Sequence, residues 1–245
     1  MIVNYPRMRR RAAWPDDLDT ALQFASPNPF SISAPKNWDG KLEYTNGSGW
    51  QTWDGSAIAS GEIENNHCIY LRGTGNSKIT GVNSSSTKWS IVGTNIACNG
   101  DVDLLLDYST VKGGNRPSMA DGCYFYMFYG CTSLTTAPSL PATTLGINCY
   151  RSMFYGCTSL TTAPSLPATT LKTNCYYSMF YGCRKIKLST TASGTYTKSY
   201  RIPKNGTGTT VPGALSIMFV NTGGTFASTP EINTTYYLDK SNTIV

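Results

Sequence analysis

The sequence predicts an α+β protein: a small N-terminal β-sandwich-like domain, then a short repeat solenoid with a helix plus a short strand per 26-residue unit, closed by a degenerate C-terminal cap. Three observations carry this expectation. Residues 127–145 read MFYGCTSLTTAPSLPATTL, residues 153–171 repeat the same nineteen letters, and residues 175–183 open a third copy. Cys123, Cys149 and Cys175 share one 26-residue spacing with Met127, Met153 and Met179, and a fixed period of this length is the mark of stacked repeats. Before residue 100, apolar residues alternate between turn signals that recur about every ten residues, as in a sandwich.

Each unit has two halves. In the first, Cys149, Met153 and Cys157 fall at i, i+4 and i+8, with Phe154 beside Met153, the spacing of one apolar helical face. Asn148 and Asn174 precede this run as N-caps, and Gly156 stands where a short helix stops. The second half is threonine-rich and broken by Pro164 and Pro167, so it is expected to be extended, with Leu160, Ala163, Leu166 and Leu171 inward. Full repeats are placed at 123–148 and 149–174, with a partial copy at 175–187. Ala214, Met218 and Phe219 align with Cys175, Met179 and Phe180. Met179 and Met218 are 39 residues apart, half a repeat too far. That places an insertion at 188–213, with Asn205 and Gly206 as a turn, and a cap at 214–245.

The pattern resembles the BspA-like leucine-rich repeats of bacterial surface antigens, whose unit carries a helical (A/M)FxGC signature followed by LxxhxhP, with h apolar. MFYGC with Leu134, Ala137 and Pro138 matches it, as does MFYGC with Leu160, Ala163 and Pro164. The third copy keeps Ile186 and Leu188 but loses the proline-containing half. The resemblance implies a leucine-rich-repeat solenoid over residues 101–245, surface display and binding. It brings no catalytic residues. Similar repeats also occur among gut bacteriophage structural proteins.

A chain of 245 residues is long enough for one or two domains with cores of their own. Charged residues are only 14%, so the surface must lean on Ser, Thr, Asn and Tyr, and 16 tyrosines against 8 phenylalanines suit half-exposed aromatic surface. Much of the net charge of +6 sits in one N-terminal cluster, which argues against a nucleic-acid stripe. Residues 1–20 lack the apolar core of a signal peptide, and no run approaches the roughly 20 apolar residues of a membrane span. With Met1 as the native start, this conflicts with secretion. Two readings answer the conflict: a bacteriophage structural protein displayed on the virion, or a bacterial cell-surface adhesin whose export signal is missing from this sequence.

Residues 1–20 are expected to form an arm. Arg7, Arg9, Arg10 and Arg11 form a basic knot, and Tyr5 and Trp14 are anchors of the kind that dominate interfaces. Together these six are the candidate assembly anchor, contacting other virion structural proteins. Residues 21–100 form the predicted β domain, with strands around Phe24, Ile32, Leu42, Trp53, Leu71, Ile79 and Ile91. Residues 103–107 are expected to cover the open end of the repeats. Asn99, Asp101, Asp103 and Asp107 make a loose acidic group, too sparse for a calcium loop.

Six of the eight cysteines are locked to the repeat at inward positions, as two ladders of small apolar thiols, with bridges between neighbouring units left open by spacing alone. No CxxC pair is present and His67 is the only histidine, so no metal is expected. A Ser-His or Cys-His system would have to use His67, no phosphate-binding loop is present, and Gly73 and Gly75 lack the third glycine of a dinucleotide site. No enzyme activity and no cofactor are expected. What remains is surface. On the predicted helix, Phe125, Arg151 and Tyr177 form one outward column and Tyr129, Tyr155 and Tyr181 a second, a candidate surface for protein or glycan. The predicted function is a non-enzymatic phage virion surface protein, acting as decoration, fibre or adhesion module. The alternatives are a BspA-like bacterial cell-surface adhesin, or a carbohydrate-active enzyme or its glycan-binding module. The oligomeric state stays open, a homo-oligomer included.

Overall fold

The computed structural model describes residues 14–81, 85–203 and 211–245. Nine strands come first: β1 Leu22–Ser26, β2 Ser31–Ser33, β3 Lys41–Thr45, β4 Gln51–Trp53, β5 Ile58–Ala59, β6 Gly61–Ile63, β7 Asn66–Thr74, β8 Ser90–Val92 and β9 Ile96–Asn99. Helix α1, Leu104–Lys112, follows, kinked where Asp107 leaves the helical region and caps the second turn through the Thr110 amide. The rest of the chain supplies β10 Leu134–Thr136, β11 Thr162–Ala163, β12 Lys187–Ser189, β13 Tyr196–Arg201, β14 Gly223–Gly224, β15 Thr235–Asp239 and β16 Thr243–Ile244.

The expected α+β class and its leucine-rich-repeat solenoid of helix plus strand are overturned. Strands make up 29% and helix 6%, and α1, the single α-helix among the described residues, lies before the repeats. The segments read as repeat helices are chains of linked turns. Every second amide bonds back within its own segment: Phe125, Met127, Tyr129 and Cys131 donate to the carbonyls of Gly122, Tyr124, Tyr126 and Phe128 at 2.9–3.2 Å. The amides between them point to the next repeat. Tyr124, Tyr126, Phe128 and Gly130 donate to Cys149, Arg151, Met153 and Tyr155 at 2.7–3.1 Å, and the next segment does the same to Cys175, Tyr177, Met179 and Tyr181. Residues 122–131, 148–157, 174–183 and 213–222 therefore form four rungs of one ladder.

A left-handed residue at every fourth position enforces this. Gly122, Tyr126 and Gly130 have φ of 66°, 60° and 73°, and the same offsets hold at Asn148, Ser152 and Gly156, at Asn174, Ser178 and Gly182, and at Gly213, Ile217 and Asn221. No right-handed helix passes through such residues. A four-residue spacing fits a helical face, but it fits linked turns equally, and so Cys149, Met153 and Cys157 still point inward. Asn148 and Gly156, read as cap and stop, are two of the left-handed positions.

Identical residues stack in register along the ladder. The Phe128, Phe154, Phe180 and Phe219 rings lie 5.4–5.6 Å apart and within 12° of parallel. Tyr124, Tyr150 and Tyr176 make a second buried column. Each stacked pair adds about 0.5–1.5 kcal/mol beyond its burial. All eight cysteines are free and buried. Cys157 and Cys183 donate their thiols to the Phe128 and Phe154 carbonyls at 3.1 and 3.0 Å. Burial pushes Cys131 up to about 12 and Cys175 up to about 11, so these thiols stay protonated.

The extended halves do not form one continuous sheet. β10 runs parallel to β9 at the edge of a seven-stranded sheet ordered β10-β9-β1-β7-β3-β4, with β6 also on β7. β11 pairs with β16, and β12 lies between β14 and β15 in a sheet completed by β13. β2, β5 and β8 form a three-stranded sheet. One apolar core runs from Leu22 to Leu238. Trp89 is its junction, within 5.3–6.4 Å of Phe24, Trp53 and Phe128. The region around Ile79 is a bend rather than a strand: Ile79 and Thr80 both donate to the Cys123 carbonyl and cover the first rung. At the other end the Ile217 amide donates to Thr229 Oγ1 at 2.7 Å and Phe219 to the Ser228 carbonyl. The turn expected at Asn205 and Gly206 lies outside the described residues.

Substitution at Ser152 separates the two conformations. In a helix, Ser152→Gly would destabilise; in the turn ladder it is neutral or stabilising by up to about 1 kcal/mol, while Ser152→Val costs at least about 1 kcal/mol. Urea unfolding of both variants measures the sign.

Candidate functional site

The ladder places its odd residues alternately inward and outward, and the outward ones gather the side chains of interest. Tyr129, Tyr155 and Tyr181 stack at 4.6 Å per step, 9° and 2° from parallel, half-buried on one edge of the rungs. Tyr126 meets Tyr129 edge-on at 4.8 Å. Lys88 places Nζ 5.8 Å from the Tyr129 ring at one end, and Asn221 Nδ2 donates to the Tyr181 hydroxyl at 2.9 Å at the other. The Tyr155 phenol is held above its ordinary value by burial and by the flanking Tyr129 and Tyr181, so it remains a hydroxyl donor.

The second column differs from its expected form. Phe125 is 5% exposed and packs 4.2 Å from Tyr126, so it belongs to the wall beneath the surface rather than to the surface. Arg151, in the same column, is half-buried, with its guanidinium 4.6 Å from the Tyr177 ring and 5.6 Å from Phe125. Sequence reasoning missed Arg184 and Asn221. With Tyr155, Tyr181, Thr158 and Thr222 they line a shallow groove of about 540 Å³ beside the ridge. The period alone held the signal, because Arg184 replaces the threonine of Thr132 and Thr158.

The candidate anchor splits. Tyr5, Arg7, Arg9, Arg10 and Arg11 lie outside the described residues. Trp14 is not a free anchor: Nε1 donates to the Glu62 carbonyl at 3.3 Å, and the ring meets Tyr70 edge-on at 5.6 Å. Next to it a knot around the buried Arg72 holds residues 14–20 against the sheet. Arg72 bonds Asp17 at 2.5 Å and Glu43 at 3.1 Å, between the rings of Trp50 at 3.9 Å and Tyr108 at 4.3 Å. The Trp50 indole N–H and the Arg72 guanidinium hold Asp17 below its usual range.

The acidic group also has internal partners. Arg116 pairs with Asp101 and stands 3.6 Å from Asp103, which is 1% exposed. The Tyr124 hydroxyl lies 3.3 Å from Asp103 Oδ1. No group of three His, Cys, Asp or Glu is placed to hold a metal ion among the described residues. No described helix is long and apolar enough to cross a membrane. No family model, curated protein or solved structure matches the chain.

Burial, aided by Asp101, pushes Asp103 up from 3.8 to about 7. Between these values the folded chain holds a proton that the unfolded chain releases, so stability falls as pH rises. Carboxylates with depressed values, such as Asp107 at about 2, act in the opposite sense and only at lower pH. Unfolding free energy is therefore expected to drop by on the order of a few kcal/mol from pH 5 to pH 8, and Asp103→Asn to flatten that slope in urea titrations.

Proposed function

We propose that this chain is a non-enzymatic virion-surface protein whose tyrosine ridge meets protein or glycan. The ridge is the observation that carries the reading. Elsewhere in the repeats the stacked rings of Phe128, Phe154 and Phe180, and of Tyr124, Tyr150 and Tyr176, are buried, as a core requires. Tyr129, Tyr155 and Tyr181 are kept on the outside in both full copies and the partial third, rigid through stacking and polar at the tip, which is the profile of interface tyrosines. Both ends of the ladder are covered by other parts of the chain, which favours a closed display module over end-to-end growth. Tyr5 and the four arginines before Ala12 are the proposed contact with other virion proteins.

Two measurements test the reading. Tyr181→Ala is expected to weaken capture on immobilised host envelope fractions about tenfold with a near-native melting temperature, the loss of one interface tyrosine. Purified particles are expected to contain the chain and to lose it when residues 1–13 are deleted. Capture unchanged by Tyr181→Ala removes the ridge, and particles without the chain favour a cell-surface adhesin.

A further inference from the structure

The ridge carries charge of one sign. From Gly122 to Pro230 the chain contains eight lysines and arginines and no aspartate or glutamate. Two of these cations, Arg151 in the neighbouring column against Tyr177 and Arg184 in the groove with Tyr155 and Tyr181, join Lys88 over Tyr129 on this face of the ladder. None of the three is ion-paired among the described residues, although Arg72 and Arg116 both are. Arg151 is held in place by its rings, with only the Asn148 side chain, at 3.4 Å, as a hydrogen-bond partner. A row of unneutralised cations without an acid between them attracts an anionic partner and repels a cationic one.

The ring geometry narrows the chemistry further. The ridge tyrosines use their faces on each other at 4.6 Å, so what they turn outward is edge and hydroxyl. That surface lacks the deep apolar pocket in which a protein hot-spot residue is desolvated. It offers a line of hydrogen-bonding hydroxyls repeated at constant spacing, with Thr158, Thr222 and Asn221 along the groove. A linear polymer rich in hydroxyls, with acid groups at intervals, matches both features.

Resting on the reading of the ridge as the binding face, we infer that its ligand is an acidic polysaccharide, sulfated or uronate-bearing, lying along the ladder across Lys88, Arg151 and Arg184. Its anions pair with the three cations and its hydroxyls bond the tyrosine and groove side chains. Binding is salt-sensitive because Lys88 and Arg184 are exposed.

The test uses the full chain at about 0.15 M salt, with dextran sulfate and polygalacturonate as anionic probes, dextran as the neutral probe and poly-glutamate as the acidic peptide. Binding to at least one anionic polysaccharide and not to dextran is expected; which of the two binds separates sulfate from uronate. Loss of one charged hydrogen bond in Arg184→Gln or Lys88→Gln is expected to weaken it about tenfold. Lys36→Gln, in the loop between β2 and β3, is expected to leave it unchanged. Equal weakening by Lys36→Gln, equal binding of dextran, equal binding of poly-glutamate, or binding of neither anionic polysaccharide overturns the inference. Binding lost in Tyr181→Ala but intact in Arg184→Gln overturns it alone and leaves the ridge standing; binding intact in Tyr181→Ala overturns the ridge itself.

Discussion

Everything in the repeats depends on how the backbone amides are divided. A helix spends every amide inside its own segment. Here half of them, from Tyr124, Tyr126, Phe128 and Gly130 onward, leave the segment and bond the next rung. The ladder is therefore held by main-chain bonds between repeats, and its spacing is set by the backbone. Rings of identical residues are brought to 4.6–5.8 Å as a consequence. Non-glycine residues such as Tyr126, Ser152 and Ser178 accept left-handed strain for this, and the bonds and stacks on either side outweigh it.

A ladder of this kind has open amides or carbonyls at each end, and buried polar groups without partners are costly. The N-terminal strands solve the first end. Ile79, Thr80 and Trp89 donate to first-rung carbonyls, β9 accepts β10 as a neighbour, and Trp89 fills the space between Phe24 and Phe128. At the far end Ser228 and Thr229 cross the fourth rung and receive two of its amides. The N-terminal part thus completes the same core that the repeats begin.

The surface follows from the same geometry. Since successive rungs repeat in register, any outward residue becomes a column, and substitutions between copies change the column one level at a time. Arg151 between Phe125 and Tyr177, and Arg184 in place of a threonine, are such changes, and they give an otherwise uncharged face its sign. Trp14 and Asp17, by contrast, are committed to the sheet through Tyr70, Glu62 and the Arg72 knot, so the segment from residue 14 onward is part of the fold.

The sequence by itself determined the repeat, its phase and its inward set. A 26-residue period is visible letter by letter, and Cys149, Met153, Phe154 and Cys157 are buried under either conformation because a four-residue spacing keeps one side inward in both. Most N-terminal strands, from β1 to β4, β7 and β8, were legible from alternation, which reports a sheet with one buried face. The outward tyrosine column was legible for the same reason as the inward one. Only the tertiary structure decided between helix and linked turns. The deciding bonds run to a carbonyl 25 residues away in the first two rungs, and local spacing carries no trace of them except a glycine or asparagine at the two ends of each rung, eight residues apart, which also read as helix ends. It likewise decided that Phe125 is covered and that Trp14 is bound, since exposure depends on which distant residues, Tyr126 and Tyr70, arrive alongside.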